Sequence, residues 1–227
     1  MNVDDDKRLA AQAAVAEVQD GMMVGLGTGS TAAHMIRALG RRVAEGLRID
    51  AVATSHASAD LARELGIPVH DFAEVAHVDL TIDGADEIDS RMLVVKGAGG
   101  AMLREKCVAA ASARMVVIAD GAKRVERIGK AAVPVEVLPF ARSFVTRVLG
   151  ERSDAVLRFS GGDVYRTDQD NFVLDCAFRD LSDPHEVAAW LQAIPGVLGH
   201  GLFLSEVDGS YLADQGIVTK LERSALG

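Results

Sequence analysis

Along the first 120 residues, short apolar runs alternate with stretches in which apolar side chains recur at helical spacing. The pattern predicts a helix over Ala10–Val18 ended by Gly21, a strand over Met22–Leu26 and a helix over Ser30–Glu45. A second strand, Ile49–Thr54, leads to a helix over Ala57–Leu65 that Gly66 terminates. Further strands are expected at Ile67–Asp71, Val78–Ile82 and Met92–Val95, then a helix over Gly99–Ala113 and a strand over Met115–Ala119. This β-α-β alternation implies a mainly parallel sheet with helices on its faces.

The rhythm changes near residue 130. A strand at Val133–Leu138, a helix at Ala141–Gly150 and a strand at Ala155–Phe159 precede a turn-rich stretch, Asp163–Asn171. A strand at Phe172–Ala177, a helix from Pro184 to Ala193 capped by Asp183, and a strand at Val197–Phe203 follow. The order β-α-β-β-α-β is the split βαβ, ferredoxin-like pattern. The expected organisation is an α/β domain over 1–130, completed by about 205–227, and a smaller α+β domain over 131–204.

Composition narrows the class. Hydrophobic residues make up 49% and charged residues 25%, the balance of a globular chain, so disorder is not expected. Apolar runs such as Met115–Ala119 are far too short to cross a bilayer, and the start Met-Asn-Val-Asp-Asp-Asp-Lys lacks the basic and apolar regions of a signal peptide. The expectation is a cytoplasmic protein without a membrane partner. A net charge of −9 argues against a nucleic-acid surface but not against a small anion, which needs only local cations and oriented amides. Cys107 and Cys176 stand in no paired motif and are read as buried apolar groups. The six histidines show no metal-ligand spacing, so no metal site is expected.

Four motifs carry candidate chemistry. Gly25-Leu26-Gly27-Thr28-Gly29-Ser30-Thr31, between a strand and a helix, reads as an oxyanion cradle built on Thr28, Gly29, Ser30 and Thr31. It is neither a dinucleotide fingerprint, since Ser30 replaces the third glycine, nor a Walker loop, since no Lys precedes Ser30. Asp83-Gly84-Ala85-Asp86 follows a strand, where open α/β sheets bind ligands, and carboxylates accept hydrogen bonds from sugar hydroxyls. Glu87 and Asp89, in the same acidic stretch, are read as solvated. Lys96-Gly97-Ala98-Gly99-Gly100 turns from a strand into a helix bearing Glu105, so a fold-back of the loop sets Lys96 and Glu105 across a cleft. Arg104 and Lys106 are read as structural or solvent-facing. Lys123, after another strand end, is a candidate anion ligand. An aldose–ketose exchange needs one base and one electrophile at the developing enediolate; Glu105 suits the first and Lys96 the second, with Asp83 or Asp86 assisting ring opening. That chemistry calls for no cofactor.

With these residues in hand, the chain resembles the A-type ribose-5-phosphate isomerases. The resemblance rests on Gly25–Thr31, Asp83–Ile88, Lys96–Lys106, Ala119–Lys123 and Pro134–Val137, and runs along nearly the whole length. It implies a Rossmann-like domain with a smaller α+β domain, a homodimer or homotetramer, and a metal-independent reaction on a sugar phosphate. It also implies Glu105 as the proton shuttle; Lys96, Asp83 and Asp86 around the reacting end; and Thr28–Thr31, Gly84, Ala85, Gly97, Ala98, Gly99 and Lys123 among the substrate-binding positions. Lys7 falls where a lysine near the phosphate is expected. Leu103 and Ala98 depart from the family's usual residues, as does Thr54-Ser55-His56-Ala57-Ser58, whose His56 is read as a loop residue with a structural role. Rival readings are a related sugar-phosphate isomerase or deaminase, and a non-catalytic sugar-phosphate sensor; the stretch before the first strand is too short for the helix-turn-helix such sensors carry.

Overall fold

Asn2 opens the first helix with a capping box: its side chain accepts from the Asp5 amide while Asp5 accepts from the Asn2 amide. Helix α1 (Val3–Val15) therefore begins well before the expected Ala10, with Asp4, Asp5 and Asp6 in its first turn, favourable to its dipole. It ends before Gly21, which instead donates its amide to Arg48 O at 2.7 Å. The computed structural model describes residues 2–223.

In chain order there follow β1 (Met23–Leu26), α2 (Ser30–Ala44), β2 (Asp50–Ala53), α3 (His56–Glu64), β3 (Leu80–Gly84), β4 (Glu87–Ile88), β5 (Val94–Val95), α4 (Met102–Ala110) and β6 (Met115–Asp120). Next come β7 (Val133–Val137), α5 (Arg142–Leu149), β8 (Ser153–Leu157), β9 (Phe159–Ser160), β10 (Asp163–Val164), β11 (Phe172–Phe178) and α6 (Pro184–Gln192). The strands β12 (Val197–His200), β13 (Leu202–Phe203), β14 (Gly209–Asp214) and β15 (Ile217–Glu222) complete the series. The expected strand at Ile67–Asp71 is reduced to a single bridge between Val69 and Ala51. The helix expected from Gly99 starts only at Met102, because Gly97 and Gly100 adopt positive φ and keep the preceding turn out of the helix.

The chain folds into two units. Among the described residues, the first comprises 2–85, 104–124 and 205–223. Its six-stranded sheet runs in the order β15-β14-β6-β3-β1-β2. Every pairing is parallel except that of β14 with the edge strand β15. Side chains alternate between faces: Val24, Leu26, Leu80, Ile82, Val116 and Ile118 pack under α1, α2 and α3, while Val52 meets Val108 of α4 on the opposite face. Burying on the order of 2 kcal/mol per large side chain, these two layers supply the unit's main drive to fold.

The second unit comprises 86–103 and 125–204. The sequence pattern placed the division near residue 130; in the structure 86–103 joins the later segment because β5 pairs with β13 and β4 with β5. Its four-stranded sheet, β12-β7-β11-β8, is antiparallel throughout. Val145 and Leu149 of α5, with Val187 and Leu191 of α6, cover Val135, Val137 and Leu174, completing the ferredoxin-like layer. Within this apolar sheet Glu136 is wholly buried. Its carboxylate accepts from the Thr167 hydroxyl at 2.8 Å and the Asn171 amide at 2.9 Å, fastening the turn that follows β10.

Two readings of the acidic stretch are corrected. Glu87 and Asp89 are buried, not solvated. Glu87 accepts from the amides of Gly129 (2.7 Å) and Ala131 (2.6 Å), and Asp89 accepts from those of Arg91 (2.9 Å) and Leu93 (3.1 Å). Cys176 is buried as expected, but Cys107 is exposed, on the outer side of α4.

Candidate active site

In the first unit, the carboxyl ends of β1, β2, β3 and β6 lie along one sheet edge, because these strands are parallel. The Gly25–Thr31 turn leaves β1 there and Asp83 ends β3. Asp83 Oδ1 accepts from the Thr28 amide at 3.0 Å and from the Gly84 amide at 2.7 Å, so the buried carboxylate ties the two strand ends together. The turn passes so close that a Cβ on Gly27 would stand 2.1 Å from Asp83 Oδ1. Gly29 has φ 108° and no side chain to cap α2, leaving the first-turn amides of that helix to another acceptor. Lys7 reaches from α1 and donates to Ser30 Oγ at 3.0 Å. Thr28, Gly29, Ser30, Thr31, Asp83, Gly84 and Ala85 are thus gathered on this edge. Lys123 closes the turn after β6 on the same edge, where Asp120 caps the Ala122 amide.

Glu105 lies in the first turn of α4 and is 3% exposed. One turn later Val108 packs on Gly25, where a Cβ would meet it at 2.9 Å. Residues three apart share a helix face, so Glu105 lies on the face of α4 that Val108 turns toward Gly25. Its neighbours Arg104 and Lys106 are half-buried, and Lys106 pairs with Glu206 at 2.7 Å, a structural role as read.

Sequence reasoning missed the layer behind the cradle. Ser58 donates to Gly27 O at 2.7 Å, and the Thr54 hydroxyl lies 2.7 Å from that of Thr28. Hydroxyls of this kind carry no pattern of their own; only the parallel pairing of β1 with β2 brings them to the turn. His56, expected in a loop, is instead the first residue of α3, exposed.

In the second unit, Asp86 and Lys96 flank the β4–β5 pair. The Asp86 amide donates to Val95 O at 2.8 Å, and Asp86 Oδ2 accepts from the Ala98 amide at 2.8 Å. Lys96 is 2% exposed; its amide donates to Gly201 O at 2.8 Å and its ammonium sits 5.6 Å from the Phe203 ring centroid, a cation–π contact. A lysine so deeply buried is unusual, which keeps Lys96 a candidate functional residue. Gly97, at φ 102°, and the exposed Ala98 and Gly99 form the turn that follows. Among the described residues no three His, Cys, Asp or Glu side chains converge as a metal site, and no helix is long and apolar enough to cross a membrane.

The mainly parallel sheet with helices on both faces and polar, glycine-shaped turns at its strand ends defines a doubly wound α/β protein, a class in which ligands bind at that edge. Residues 50–216 match the family model described as Ribose 5-phosphate isomerase A (phosphoriboisomerase A). The chain is 51% identical to ribose-5-phosphate isomerase A of Sphingopyxis alaskensis over 209 residues, 92% of each chain. Among solved structures, it is 35% identical to a D-ribose-5-phosphate isomerase in complex with phospho-erythronic acid, with a TM-score of 0.95 over 98% of this chain and 100% of the other. It is 36% identical to ribose 5 phosphate isomerase A from Neisseria gonorrhoeae, with a TM-score of 0.92 over 98% of each chain. The chain belongs to the ribose 5-phosphate isomerase A family.

Proposed function

We propose that this chain interconverts D-ribose 5-phosphate and D-ribulose 5-phosphate by proton transfer through an enediolate. The observation that carries the reading is the 51% identity to a ribose-5-phosphate isomerase A over 92% of both chains. Identity of this extent does not favour the deaminase or sensor alternatives.

The residue roles follow from the reaction's needs. Glu105, buried in the first turn of α4, takes the proton from the carbon beside the carbonyl and returns it to the neighbouring carbon. Lys96 holds a fixed positive charge for the enediolate oxygen, an interaction that strengthens only as that charge develops. Asp83 or Asp86 assists ring opening, exchanging a proton with the anomeric hydroxyl or the ring oxygen as the furanose opens. The substrate-binding positions are Thr28–Thr31, Gly84, Ala85 and Gly97–Gly99, with the α2 amides, Lys7 and Lys123 suited to the phosphate. As the proton carried by Glu105 moves from C2 to C1, the hydroxyl proton on O2 passes to O1, so the exchange is redox-neutral, and we assign it no redox cofactor and no metal.

We further assign the chain to the cytoplasm and to a homodimer or homotetramer. Support for self-association comes from Leu138, Phe140 and Phe144 of the second unit, which are 41%, 96% and 46% exposed. The test is direct: purified protein given ribose 5-phosphate should produce ribulose 5-phosphate, with far lower rates on hexose phosphates. Release of ammonia from glucosamine 6-phosphate, without pentose turnover, would overturn the assignment.

A further inference from the structure

Within the second unit, the Gly97–Gly99 turn is gripped by side chains sixty residues further along the chain. Arg158, just after β8, donates through Nη1 to Gly97 O and to Ala98 O, both at 3.0 Å. Its Nε donates to Asp175 Oδ2 at 2.9 Å, and its Nη2 donates to Asp175 Oδ1. Tyr165 donates its hydroxyl to Gly99 O at 3.1 Å, and its ring centroid lies 5.6 Å from the Arg158 guanidinium carbon. Its ring also fills the space beside Gly100, where a Cβ would stand 2.1 Å from the phenolic oxygen. Burial raises the Tyr165 pKa above its ordinary value, so the hydroxyl remains a donor at neutral pH.

The consequence lies in the peptide geometry. In a trans peptide the N–H points opposite to the C=O. With Gly97 O drawn to Arg158, the Ala98 N–H of the same peptide faces away, and it donates to Asp86 Oδ2 at 2.8 Å. One peptide unit therefore joins a guanidinium to a candidate reacting carboxylate. Arg158 spends its donors on this turn and on Asp175, which holds the guanidinium plane. A planar fork is required to reach two carbonyls and a carboxylate at once, and a lysine offers none.

We infer that Arg158, braced by Asp175, is a positioning residue that sets the Asp86 carboxylate through the Gly97–Ala98 peptide, with Tyr165 locking the far end of the same turn. The inference rests on the reading of Asp86 as part of the reacting end of the site.

Two measurements on the full chain test it. Arg158→Lys should make the amides of 97–99 exchange with solvent at least about tenfold faster, and Tyr165→Phe should do so more weakly, while exchange in α5 and α6 stays unchanged. Unaltered exchange in the turn overturns the clamp. In steady-state turnover of ribose 5-phosphate, Arg158→Lys should lower kcat/KM about tenfold when Asp86 is present and less than about twofold in an Asp86→Asn background, the non-additivity expected of groups acting as a unit. Equal losses in both backgrounds mean that Arg158 merely supports the fold, and overturn the inference. Failure of the wild-type chain to isomerise ribose 5-phosphate overturns the functional reading instead, and the exchange result still judges the clamp by itself.

Discussion

Replacing Gly27 by alanine probes how β1 and β3 share the site. The added Cβ would stand 2.1 Å from Asp83 Oδ1, 2.3 Å from its Cγ and 2.5 Å from its Cα. The last of these is backbone, so rotating a side chain cannot relieve the clash. Restoring van der Waals contact requires the strand ends to part by on the order of 1 Å. That displacement strains two hydrogen bonds, Gly27 N to Ile82 O at 3.0 Å and Thr28 N to Asp83 Oδ1 at 3.0 Å. Overpacking costs about 1–3 kcal/mol, and the weakened bonds add about 1–2 kcal/mol more, giving roughly 2–5 kcal/mol. Gly29→Ala is the control: nothing lies within 4 Å of its Cβ, and only the strained φ of 108° opposes it, at about 1–3 kcal/mol. Urea unfolding followed by circular dichroism gives the stabilities, and turnover of ribose 5-phosphate gives kcat/KM. Gly27→Ala should lose both, with kcat/KM falling by at least about 100-fold as Asp83 moves. A Gly27→Ala protein within about 1 kcal/mol of wild type, with near-normal turnover, would refute the steric argument.

Glu105→Gln should lower kcat by at least about 100-fold while KM changes little, since the loss falls on the transition state; steady-state kinetics decides. Incubation with EDTA should leave turnover intact, and a strong loss would require a metal-assisted route. Glu87→Ala should destabilise the protein by roughly 2–4 kcal/mol, measured by denaturant titration, because the Gly129 and Ala131 amides lose their acceptor. Hydrogen bonds from Arg114, Tyr211 and Lys220 outweigh burial at Glu17 and depress its pKa to about 2. The folded pKa lies below the unfolded one, so this stabilisation is complete above about pH 5 and is lost as pH falls toward 2. Glu17→Gln should therefore cost about 1–2 kcal/mol near neutrality, after allowance for solvent screening, and flatten the acid limb of a stability–pH curve.

The helices with one apolar face, such as α2 and α6, and the continuously apolar strand β6 were legible from the sequence alone. Ends governed by caps were less so: α1 starts at Val3 because Asn2 and Asp5 bond reciprocally, a local arrangement the apolar period does not register. Glu87 and Asp89 read as a solvated run because proximity in sequence suggests a shared surface, whereas Glu87 is taken into the interior by amides some forty residues on and Asp89 by those of its own turn. The glycine turns and the residues beside them stood out as motifs. Ser58, Thr54, Arg158 and Tyr165, which hold those turns in place, did not.

By itself, the sequence determined most of the helices and core strands, the parallel core and the chemical character of each strand-end turn, since these depend on periodicity and on residues within a few positions of one another. Only the tertiary structure decided which distant groups clasp the turns, that residues 86–103 fold with the later segment, and that Gly27 must lack a side chain. Hydrogen bonds across thirty or sixty residues are set by strand order and packing, and neither has a local signature along the chain.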